Sequence, residues 1–428
     1  MKLNRAQRIQ GRLRLPGDKS ISHRAAIIAS IASGRSTIKN YSTAVDCSST
    51  LACLKQLGVR ITRSGTIVEI DGAERLQRPD SPLDCGNSGT TIRVLSGVLA
   101  RQDFSCALSG DSSLNSRPMG RIVQPLELMG ARFESNEGKP PLTVHGTTGI
   151  NPIIYELPVA SAQVKSAILF AALGASGRTQ VKESSLSRDH TERLFNGFGV
   201  TVTTADDLTV TLDGPAQLFG GDITVPGDVS SAAYFVAAAM LLPGSDLVIE
   251  DVGLNPTRAE FLSVLASWGA DISTDGIELE RNEPIGTIRV HGGISSSAST
   301  ERKLAKPKIP SVIDELPLLA VVGTQIPDGI EIRDAAELRH KESDRLKATA
   351  INLRRMGADV EEHPDGLSIS GPTKLSGAHI DSFGDHRIAM AFTVAALIAE
   401  GPTEIVGADC VSISFPEFFD LLDSVVVR

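Results

Sequence analysis

The chain has 428 residues, of which 41% are hydrophobic and 22% charged, a composition typical of a folded globular protein with room for two domains. Its formal net charge of −9 and its aromatic content of 4% argue against a nucleic-acid partner, which usually requires basic stripes and stacking rings. Any anionic ligand must therefore be bound by a local cluster of cations.

The cysteine count and the apolar segments point to a cytoplasmic protein without a membrane partner. The N-terminus lacks the apolar run of a secretory signal, and the longest apolar stretch, 232–243, is too short to cross a bilayer. An odd number of cysteines without a Cys-x-x-Cys pair favours reduced thiols over a disulfide framework. These cysteines are Cys47, Cys53, Cys85, Cys106 and Cys410.

The first predicted elements are an alternating strand at 11–15 and a helix that begins after Leu15-Pro16-Gly17-Asp18. Similar Gly/Ser/Asp/Asn sequences recur along the chain, each ahead of a helix rich in small residues, and they predict six similar units. The helix openers begin at Gly17, Gly86, Ala160, Gly227, Ile313 and Gly384.

The second helix of each unit is predicted to end at a glycine that precedes a β-prone pair. Gly58, Gly130, Gly199, Gly269 and Gly357 follow one another at intervals of 72, 69, 70 and 88 residues. A unit of about 70 residues is longer than a solenoid repeat, so packing into domains is expected. We interpret the Ser/Ala run 293–300 as a surface insertion that lengthens one unit. The sixth unit reaches the C-terminus without room for a closing hairpin.

The third unit shows the predicted order of elements most clearly. A strand at 155–157 leads to a helix over 161–173, a strand over 178–182, a helix over 191–197 and a hairpin of 200–203 with 208–212, which is a βαβαββ pattern. The first helices of the units are apolar nearly all round, so we expect them inside, with sheets and amphipathic helices outside. Two similar Pro-Gly turns, at 16–17 and 226–227, are candidate domain crossings.

The helix openers could bind anions, because the first turn of a helix has unpaired N–H groups and partial positive charge. Further cations lie outside the openers in Ser116-Arg117-Pro118, in Ser187-Arg188-Asp189 and in the run 339–345. The alternatives from the residues alone are ordinary N-caps for the openers and a solvated, self-compensating face for the run 339–345.

Five segments of the chain resemble sequences of the 5-enolpyruvylshikimate-3-phosphate synthase family. Three are hallmark segments, Leu-Pro-Gly-Asp-Lys-Ser-Ile-Ser-His-Arg at 15–24, Gly-Asn-Ser-Gly-Thr-Thr-Ile-Arg at 86–93 and Lys-Glu-Ser-Asp-Arg at 341–345. Two more, 385–390 and 414–418, also match, and all five occur in the family's order along the whole chain. The resemblance therefore covers both halves of the sequence.

Two other functions stay open at this point. The UDP-N-acetylglucosamine enolpyruvyl transferases share the six-unit fold, but they usually have Lys-Asn where this chain has Lys19-Ser20. They also carry a catalytic cysteine in a mobile loop, which here reads Ser-Ser-Leu-Asn-Ser-Arg at 112–117. A non-catalytic anion-binding repeat protein is the alternative from a different class.

The resemblance implies an α/β fold, a two-domain inverted α/β barrel of the enolpyruvyl-transferase type with six βαβαββ repeats, three per domain. Residues 1–16 and 227–428 would form a discontinuous domain, and 17–226 an inserted one, with the active site in the cleft between them. Buried helices would lie inside each domain and sheets outside.

The resemblance also implies the reaction. The enolpyruvyl (1-carboxyvinyl) group of phosphoenolpyruvate would be transferred to the 5-hydroxyl of shikimate 3-phosphate, with release of phosphate, through a tetrahedral intermediate. This is a step of the shikimate pathway to chorismate and the aromatic amino acids. Neither a metal nor an organic cofactor is implied, and we expect a monomer whose partners are the two small substrates.

The family's pattern assigns roles to residues of this chain. Asp314 would accept the hydroxyl proton and Glu342 would protonate the enol carbon, while Lys19 and His386 would stabilise the charge that develops. The expected shikimate 3-phosphate residues are Lys19, Ser20, Arg24, Ser161, Ala162, Gln163, Arg188, Asp314 and Lys341. The expected phosphoenolpyruvate residues are Lys19, Gly89, Arg117, Gln163, Arg345 and Arg387.

Three positions depart from the family's usual residues. Many members carry serine where Ala162 stands, proline where Val94 stands, and lysine where Ile413 stands. Ala162 can offer only its backbone to a ligand, and Ile413 removes one cation that would face the phosphate. These departures suggest a divergent branch of the family.

Overall fold

The computed structural model describes residues 1–73, 75–295 and 301–428. Most of the expected surface insertion, residues 296–300, lies outside this range. The chain divides into two compact units, one formed by Met1–Pro16, Gly227–Glu278 and Pro284–Arg428, the other by Gly17–Pro226 and Leu279–Glu283. Each unit encloses its own cluster of buried aliphatic and aromatic side chains.

The described residues contain α-helices of 4 to 13 residues and short 3₁₀ helices at Ala336–His340 and Ala408–Ile413. In chain order, the α-helices are α1 (Lys19–Ile31), α2 (Val45–Gln56), α3 (Gly89–Ala100), α4 (Ser112–Asn115), α5 (Gly120–Leu128), α6 (Ala162–Ala172), α7 (His190–Gly197), α8 (Val229–Leu241), α9 (Glu260–Ser267), α10 (Ile309–Val312), α11 (Leu316–Gly323), α12 (Arg345–Arg355), α13 (His386–Ile398) and α14 (Phe418–Val425).

The strands of the described residues form six sheets. In chain order, they are β1 (Lys2–Leu3), β2 (Arg8–Arg14), β3 (Arg35–Lys39), β4 (Arg60–Ser64), β5 (Ile67–Asp71), β6 (Leu83–Asp84), β7 (Ser105–Ser109), β8 (Arg132–Asn136), β9 (Lys139–His145), β10 (Ile154–Glu156), β11 (Gly177–Lys182), β12 (Val202–Thr204), β13 (Thr209–Gly214), β14 (Ile223–Thr224), β15 (Asp246–Gly253), β16 (Ala270–Glu280), β17 (Glu283–Ile294), β18 (Lys303–Leu304), β19 (Ile330–Ile332), β20 (Val360–His363), β21 (Gly366–Ile369), β22 (His379–Asp381), β23 (Thr403–Val406) and β24 (Val426–Val427).

The unit that contains Gly17–Pro226 has three four-stranded sheets of one design. Their orders are β14-β3-β5-β4, β6-β7-β9-β8 and β10-β11-β13-β12, and in each the first two strands are parallel and the others antiparallel. The parallel pairs β6–β7 and β10–β11 are each joined by a buried helix, which is the crossover that parallel strands require. The βαβαββ order predicted for the third unit is confirmed.

The other unit also has three sheets, and the chain's ends complete two of them. The orders are β16-β17-β15-β2-β24, β18-β19-β21-β20 and β1-β23-β22. The sixth repeat lacks a closing hairpin, as expected, and the N-terminal strand β1 pairs with β23 instead. The long hairpin of β16 and β17, with 11 and 12 residues, accounts for part of the 88-residue interval.

The predicted ends of the second helices are confirmed by their backbone conformation. Gly58, Gly130, Gly199, Gly269 and Gly357 each follow the last helical residue by two positions and have φ between 86° and 104°. Such values lie in the left-handed region, which glycine adopts without a Cβ clash. The glycines therefore allow the chain to leave each helix and turn into the next strand.

Five of the six helix openers are capped as expected. The side chains of Asp18, Ser88, Ser161, Asp228 and Asp385 accept backbone N–H groups at the starts of α1, α3, α6, α8 and α13. The fifth unit differs, because α11 begins at Leu316, is preceded by Glu315 and has no side-chain cap bond. Asp314 is therefore not an N-cap, and the alternative interpretation of it as a capping residue is wrong.

Candidate active site

Lys19 is the first residue of α1, and its ammonium group is held by a carboxylate from α2. Lys19 Nζ lies 3.0 Å from Asp46 Oδ2, and its side chain is 23% exposed. Asp18 fixes the helix start by accepting the N–H of Ile21 at 2.8 Å. The amine is thus positioned at a helix N-terminus, where an anion would also meet partial positive charge.

Arg24 is buried one turn further along α1, and three hydrogen bonds hold its guanidinium in place. It donates to Thr191 Oγ1 at 2.8 Å, to Ser166 Oγ at 2.9 Å and to the carbonyl of Ser20 at 3.0 Å. Burial lowers the pKa of Arg24 to about 10, with the charge of Arg188 adding to the effect and Glu192 opposing it. Arg24 therefore stays charged at neutral pH, and Arg188 lies close enough to interact with it.

Gln163 is oriented by two residues of α3, a helix that packs closely on α6. Its Oε1 accepts from Arg93 Nη1 at 2.5 Å, and its Nε2 donates to Thr90 Oγ1 at 3.0 Å. Ser161 caps the same helix, and Ala162 is its first residue. The amide of Gln163 is consequently fixed in one orientation.

Arg117 follows the short helix α4 and lies beside the N-terminus of α3. It donates to Asn87 Oδ1 at 3.0 Å and to Ser113 Oγ at 3.2 Å, while Asn87 in turn donates to Asp111 at 2.7 Å. A Cβ added to Gly89 would lie 3.2 Å from Arg117 Nη1. Within the described chain, the buried Nε of Arg117 has no hydrogen-bond partner.

In the other unit, Arg345 is bound by three carboxylates. Its side chain is 1% exposed, with Nη2 at 2.6 Å from Glu342 Oε2, Nη1 at 3.3 Å from Asp314 Oδ1 and Nε at 2.8 Å from Asp385 Oδ2. Burial alone would lower the pKa of Arg345, but the three carboxylates outweigh it and raise that pKa above its usual value. The two expected proton-transfer groups, Asp314 and Glu342, thus share one guanidinium.

Arg387 lies in the first turn of α13 and contacts the segment ahead of α11. Its Nη1 donates to the carbonyl of Asp314 at 3.1 Å and lies 3.4 Å from Glu315 Oε1, while Nη2 lies 3.6 Å from Asp314 Oδ2. Glu315 is itself buried and accepts from the hydroxyl of Ser230, which also accepts from Arg258. Arg387 is therefore supported by a buried polar network from α8 and the loop ahead of α9.

The remaining expected residues have different surroundings. Lys341 forms an ion pair of 3.1 Å with Glu337, and His386, the buried first residue of α13, acts electrostatically on Asp385. Ile413 ends the second 3₁₀ helix, and Val94 is buried within α3. The structure thus brings Asp314, Glu342, Arg345 and Arg387 into direct contact within one unit.

Sequence reasoning missed several residues that position this site. Asp46 and Arg258 lie in no motif that marked them, and Arg93 ends the hallmark segment 86–93 but was assigned no role. The available signal for Arg93 was its spacing, since it lies four residues after Gly89 on the same face of α3. Asp46 and Arg258 contact the site only because the fold brings distant segments together.

The comparisons first define the class of protein. The solved structure of the enolpyruvyl transferase NikO from Streptomyces tendae matches with a TM-score of 0.81 and 18% identity, covering 99% of this chain and 96% of that chain. At this identity the likeness shows the fold alone. The chain has the inverted α/β fold of the enolpyruvyl transferases, and the predicted fold class is confirmed.

Closer relatives define the family within that class. The family model described as EPSP synthase (3-phosphoshikimate 1-carboxyvinyltransferase) matches residues 3–422, and the chain belongs to this family. A 3-phosphoshikimate 1-carboxyvinyltransferase of Solibacter usitatus is 49% identical over 99% of both chains, and one of Koribacter versatilis is 49% identical over 99% of this chain and 98% of its own. The solved EPSP synthase from Acinetobacter baumannii is 38% identical, with a TM-score of 0.88 and coverage of 100% and 98%.

The described residues contain neither a membrane-spanning helix nor a cluster of metal ligands. None of their helices combines the length and apolar character that crossing a bilayer requires. Nor do those residues bring three or more His, Cys, Asp or Glu side chains into a group that could hold a metal ion.

Proposed function

We propose that the chain transfers the enolpyruvyl group of phosphoenolpyruvate to the 5-hydroxyl of shikimate 3-phosphate and releases phosphate. This is the 3-phosphoshikimate 1-carboxyvinyltransferase reaction of the shikimate pathway, which leads to chorismate and the aromatic amino acids. The observation that carries the proposal is the match of the EPSP synthase family model to residues 3–422, supported by relatives of that name at 49% identity over nearly the whole chain.

Shikimate 3-phosphate would be bound by cations and helix N-termini of the unit that contains Gly17–Pro226, with Asp314 and Lys341 from the other unit. Arg24 supports this role, because its three hydrogen bonds preorganise a charged guanidinium beside Ser20. Lys19, Ser161, Ala162, Gln163 and Arg188 would supply the remaining contacts. Lys19 would also contact the second substrate.

Phosphoenolpyruvate would be bound by Arg345 and Arg387 of one unit and by Gly89, Arg117 and Gln163 of the other. Guanidinium groups suit this ligand because carboxylate and phosphate both accept paired N–H donors. Gly89 has no side chain beside Arg93 and Arg117, which leaves space next to their guanidinium groups. The proposal requires both sets of residues to serve one pair of substrates.

The reaction needs a proton donor and a proton acceptor. Glu342 would protonate C3 of phosphoenolpyruvate while the 5-hydroxyl oxygen attacks C2 and gives its proton to Asp314. The tetrahedral adduct then loses phosphate as the new methyl group gives up a proton. Lys19, His386 and the arginines would stabilise the charge that develops during both steps.

We further propose that the enzyme acts in the cytoplasm as a monomer and needs no cofactor. The five cysteines are free thiols, and four of them are buried, which suits a reducing compartment. Analytical ultracentrifugation of the purified chain would test the monomer, and a dimer at micromolar concentration would contradict it.

A phosphate-release assay tests the function. Phosphoenolpyruvate with shikimate 3-phosphate should release phosphate, whereas phosphoenolpyruvate with UDP-N-acetylglucosamine should not. Replacement of Glu342 or Asp314 by alanine should lower kcat by roughly 10²- to 10⁴-fold if these groups move protons. The exposed strand residue Glu278, changed to alanine, is the control and should leave kcat unchanged. Phosphate release with UDP-N-acetylglucosamine but not with shikimate 3-phosphate would contradict the proposal. Wild-type behaviour of both alanine variants would also contradict it.

A further inference from the structure

Both edges of the Arg345 guanidinium are occupied by carboxylates of the protein itself. Asp385 faces one edge, with its oxygens 2.8 Å from Nε and 3.3 Å from Nη2. Asp314 and Glu342 face the other edge, at 3.3 Å from Nη1 and 2.6 Å from Nη2. An incoming anion that binds Arg345 through paired hydrogen bonds must therefore displace one of these pairs.

The pair made by Asp314 and Glu342 is the one that can be displaced. Asp385 is fully buried, and its carboxylate also accepts from the hydroxyl of Ser343 at 3.0 Å and from the backbone N–H of Arg387 at 2.9 Å. The side chains of Glu342 and Asp314 are 22% and 14% exposed. Asp314 also contacts Arg387 and can stay beside it when Arg345 is taken.

The charges around Arg345 do not favour a second anion. Four carboxylates of this cluster, those of Asp314, Glu315, Glu342 and Asp385, face the two guanidinium groups of Arg345 and Arg387. Even with His386 protonated, these groups count three positive charges against four negative ones. Arg258 and Asp228, which act on the same network, add one charge of each sign and leave the excess unchanged. Lys341 adds little, because Glu337 neutralises it at 3.1 Å. An anion that enters such a site raises the affinity of a nearby carboxylate for a proton.

We infer that phosphoenolpyruvate binding is coupled to the uptake of one proton by Glu342, which the substrate's anionic group displaces from Arg345. The inference rests on the proposed function and deepens it, because the displaced group is the one that must donate a proton to C3. The charged groups around the Arg345–Glu342 pair are Asp314 ahead of α11, Asp385, His386 and Arg387 at the start of α13, and Lys341 with Glu337 near the first 3₁₀ helix.

The proton balance closes over one turnover. Solvent supplies the proton that converts the Glu342 carboxylate to a carboxylic acid when the substrate binds. This proton passes to C3 during addition, and a methyl proton returns to the Glu342 carboxylate during elimination, as the C–O bond to phosphate breaks. The hydroxyl proton held by Asp314 leaves with the released phosphate, and Glu342 gives its proton back to solvent when the products depart. Before the substrate binds, Glu342 stays ionised beside Arg345, so the active acid is formed only in the complex.

Isothermal titration calorimetry can count this proton. Phosphoenolpyruvate is titrated into the full-length enzyme saturated with 5-deoxyshikimate 3-phosphate, which lacks the nucleophilic hydroxyl, in PIPES and in Tris near neutral pH. Because the two buffers have different ionisation enthalpies, the difference in heat gives the protons taken up. The inference predicts about one proton for the wild type and for Asp314→Asn, and close to none for Glu342→Gln.

An infrared difference spectrum provides a second measurement, which does not require the variants to bind phosphoenolpyruvate tightly. The carbonyl band of a protonated carboxylic acid should appear when phosphoenolpyruvate binds to the wild type, remain in Asp314→Asn and be absent from Glu342→Gln. No proton uptake in the wild type, or uptake retained in Glu342→Gln, would overturn the inference. A wild type that releases phosphate in the turnover assay but takes up no proton would refute this coupling alone, whereas one without turnover would refute the proposed function as well.

Discussion

Gly89, the first residue of α3, lies beside two guanidinium groups. A Cβ at this position would lie 3.0 Å from Arg93 Nη1 and 3.2 Å from Arg117 Nη1, which forces the ends of these side chains to shift. We expect Gly89→Ala to raise KM for phosphoenolpyruvate by roughly tenfold, equivalent to about 1.4 kcal/mol. Steady-state kinetics of the two substrates would measure the change.

A matched control is available at the start of another helix. Gly120 is the first residue of α5, and a Cβ added there would meet no heavy atom within 4 Å. Gly120→Ala should therefore leave both KM values unchanged. An unchanged KM in Gly89→Ala would show that Arg93 and Arg117 do not contribute to binding in their present positions.

Lys165 is a buried cation whose removal would leave two carboxylates unpaired. Its Nζ lies 2.6 Å from Glu183 and 2.7 Å from Glu192, and its side chain is 1% exposed. Burial would lower the pKa of Lys165, but Glu192 and Glu183 raise it above its usual value, so the group stays charged. Lys165→Met should lower the free energy of unfolding by about 3–5 kcal/mol in urea titrations.

The control for this change is an exposed lysine on the neighbouring strand. Lys182 lies 3.6 Å from Asp207, and both side chains are at least half exposed. Lys182→Met should alter the free energy of unfolding by less than about 1 kcal/mol. Equal effects of the two substitutions would argue against a stabilising role for the buried trio.

At the scale of single residues, the sequence predicted candidate cations but not how they are held. The run 339–345 could equally have been a solvated face, because charge patterns do not report burial. Only the fold shows that Arg345 is enclosed by Asp314, Glu342 and Asp385. Two of those partners are separated from it by at least 31 residues, so local spacing contained no information about them.

The helix openers determine where the buried helices begin. Ser88 caps α3 by accepting the N–H of Thr91 at 3.1 Å, and it also accepts from the hydroxyl of Thr91 at 2.7 Å. Ser88→Ala should lower the free energy of unfolding by about 1 kcal/mol, because an N–H at the helix start loses its partner. Chemical denaturation would measure this loss of stability.

The control for this change is Ser81→Ala, at an exposed loop position, which should change the free energy of unfolding by less than about 0.5 kcal/mol. An equally large loss at Ser81 would argue against a capping effect at Ser88.

Most helix boundaries could be predicted because glycine and the capping residues act locally. The start of the buried helix in the fifth unit could not be predicted, because Pro317 occupies the first turn of α11 and favours a helix start at that point. Proline fixes φ and has no N–H to be capped, so a side-chain cap contributes less there. Asp314 is thus left outside the helix, where it contacts Arg345 and Arg387.

The acidic character of the whole molecule should influence substrate binding. The net charge is −9, whereas both proposed substrates are anions that depend on a local group of cations. Salt screens that local attraction once the Debye length falls below the size of the site. Raising ionic strength from about 0.02 M to about 0.2 M should therefore raise KM for phosphoenolpyruvate several-fold.

The matched variant for this measurement is Arg117→Gln, which removes one of the proposed cations. At low salt, the KM of this variant for phosphoenolpyruvate should be higher than that of the wild type. It should also rise less steeply with added salt than the wild-type KM. A KM that is independent of ionic strength in both proteins would contradict binding by a cluster of cations.

The fold of the molecule was predictable because its repeats keep a steady interval. Six helix openers, with five glycines at equivalent positions between them, indicated six units, and six sheets are formed by the described residues. The completion of the sixth unit by β1 could not be predicted from periodicity, since strand pairing between the two ends depends on the folded arrangement. The sequence also attributed the long interval of 88 residues to the Ser/Ala run 293–300. In the structure, the β16–β17 hairpin accounts for part of that length.

The central claim, transfer of an enolpyruvyl group by addition and elimination, can be tested with one isotopic label. Phosphoenolpyruvate carrying ¹⁸O in the oxygen that bridges C2 and phosphorus is incubated with shikimate 3-phosphate and the enzyme. Because the C–O bond breaks during elimination, mass spectrometry should find the label in the released phosphate and the carboxyvinyl group on the 5-oxygen of shikimate 3-phosphate. Label retained in a pyruvate product, which requires cleavage of the P–O bond, would contradict this account.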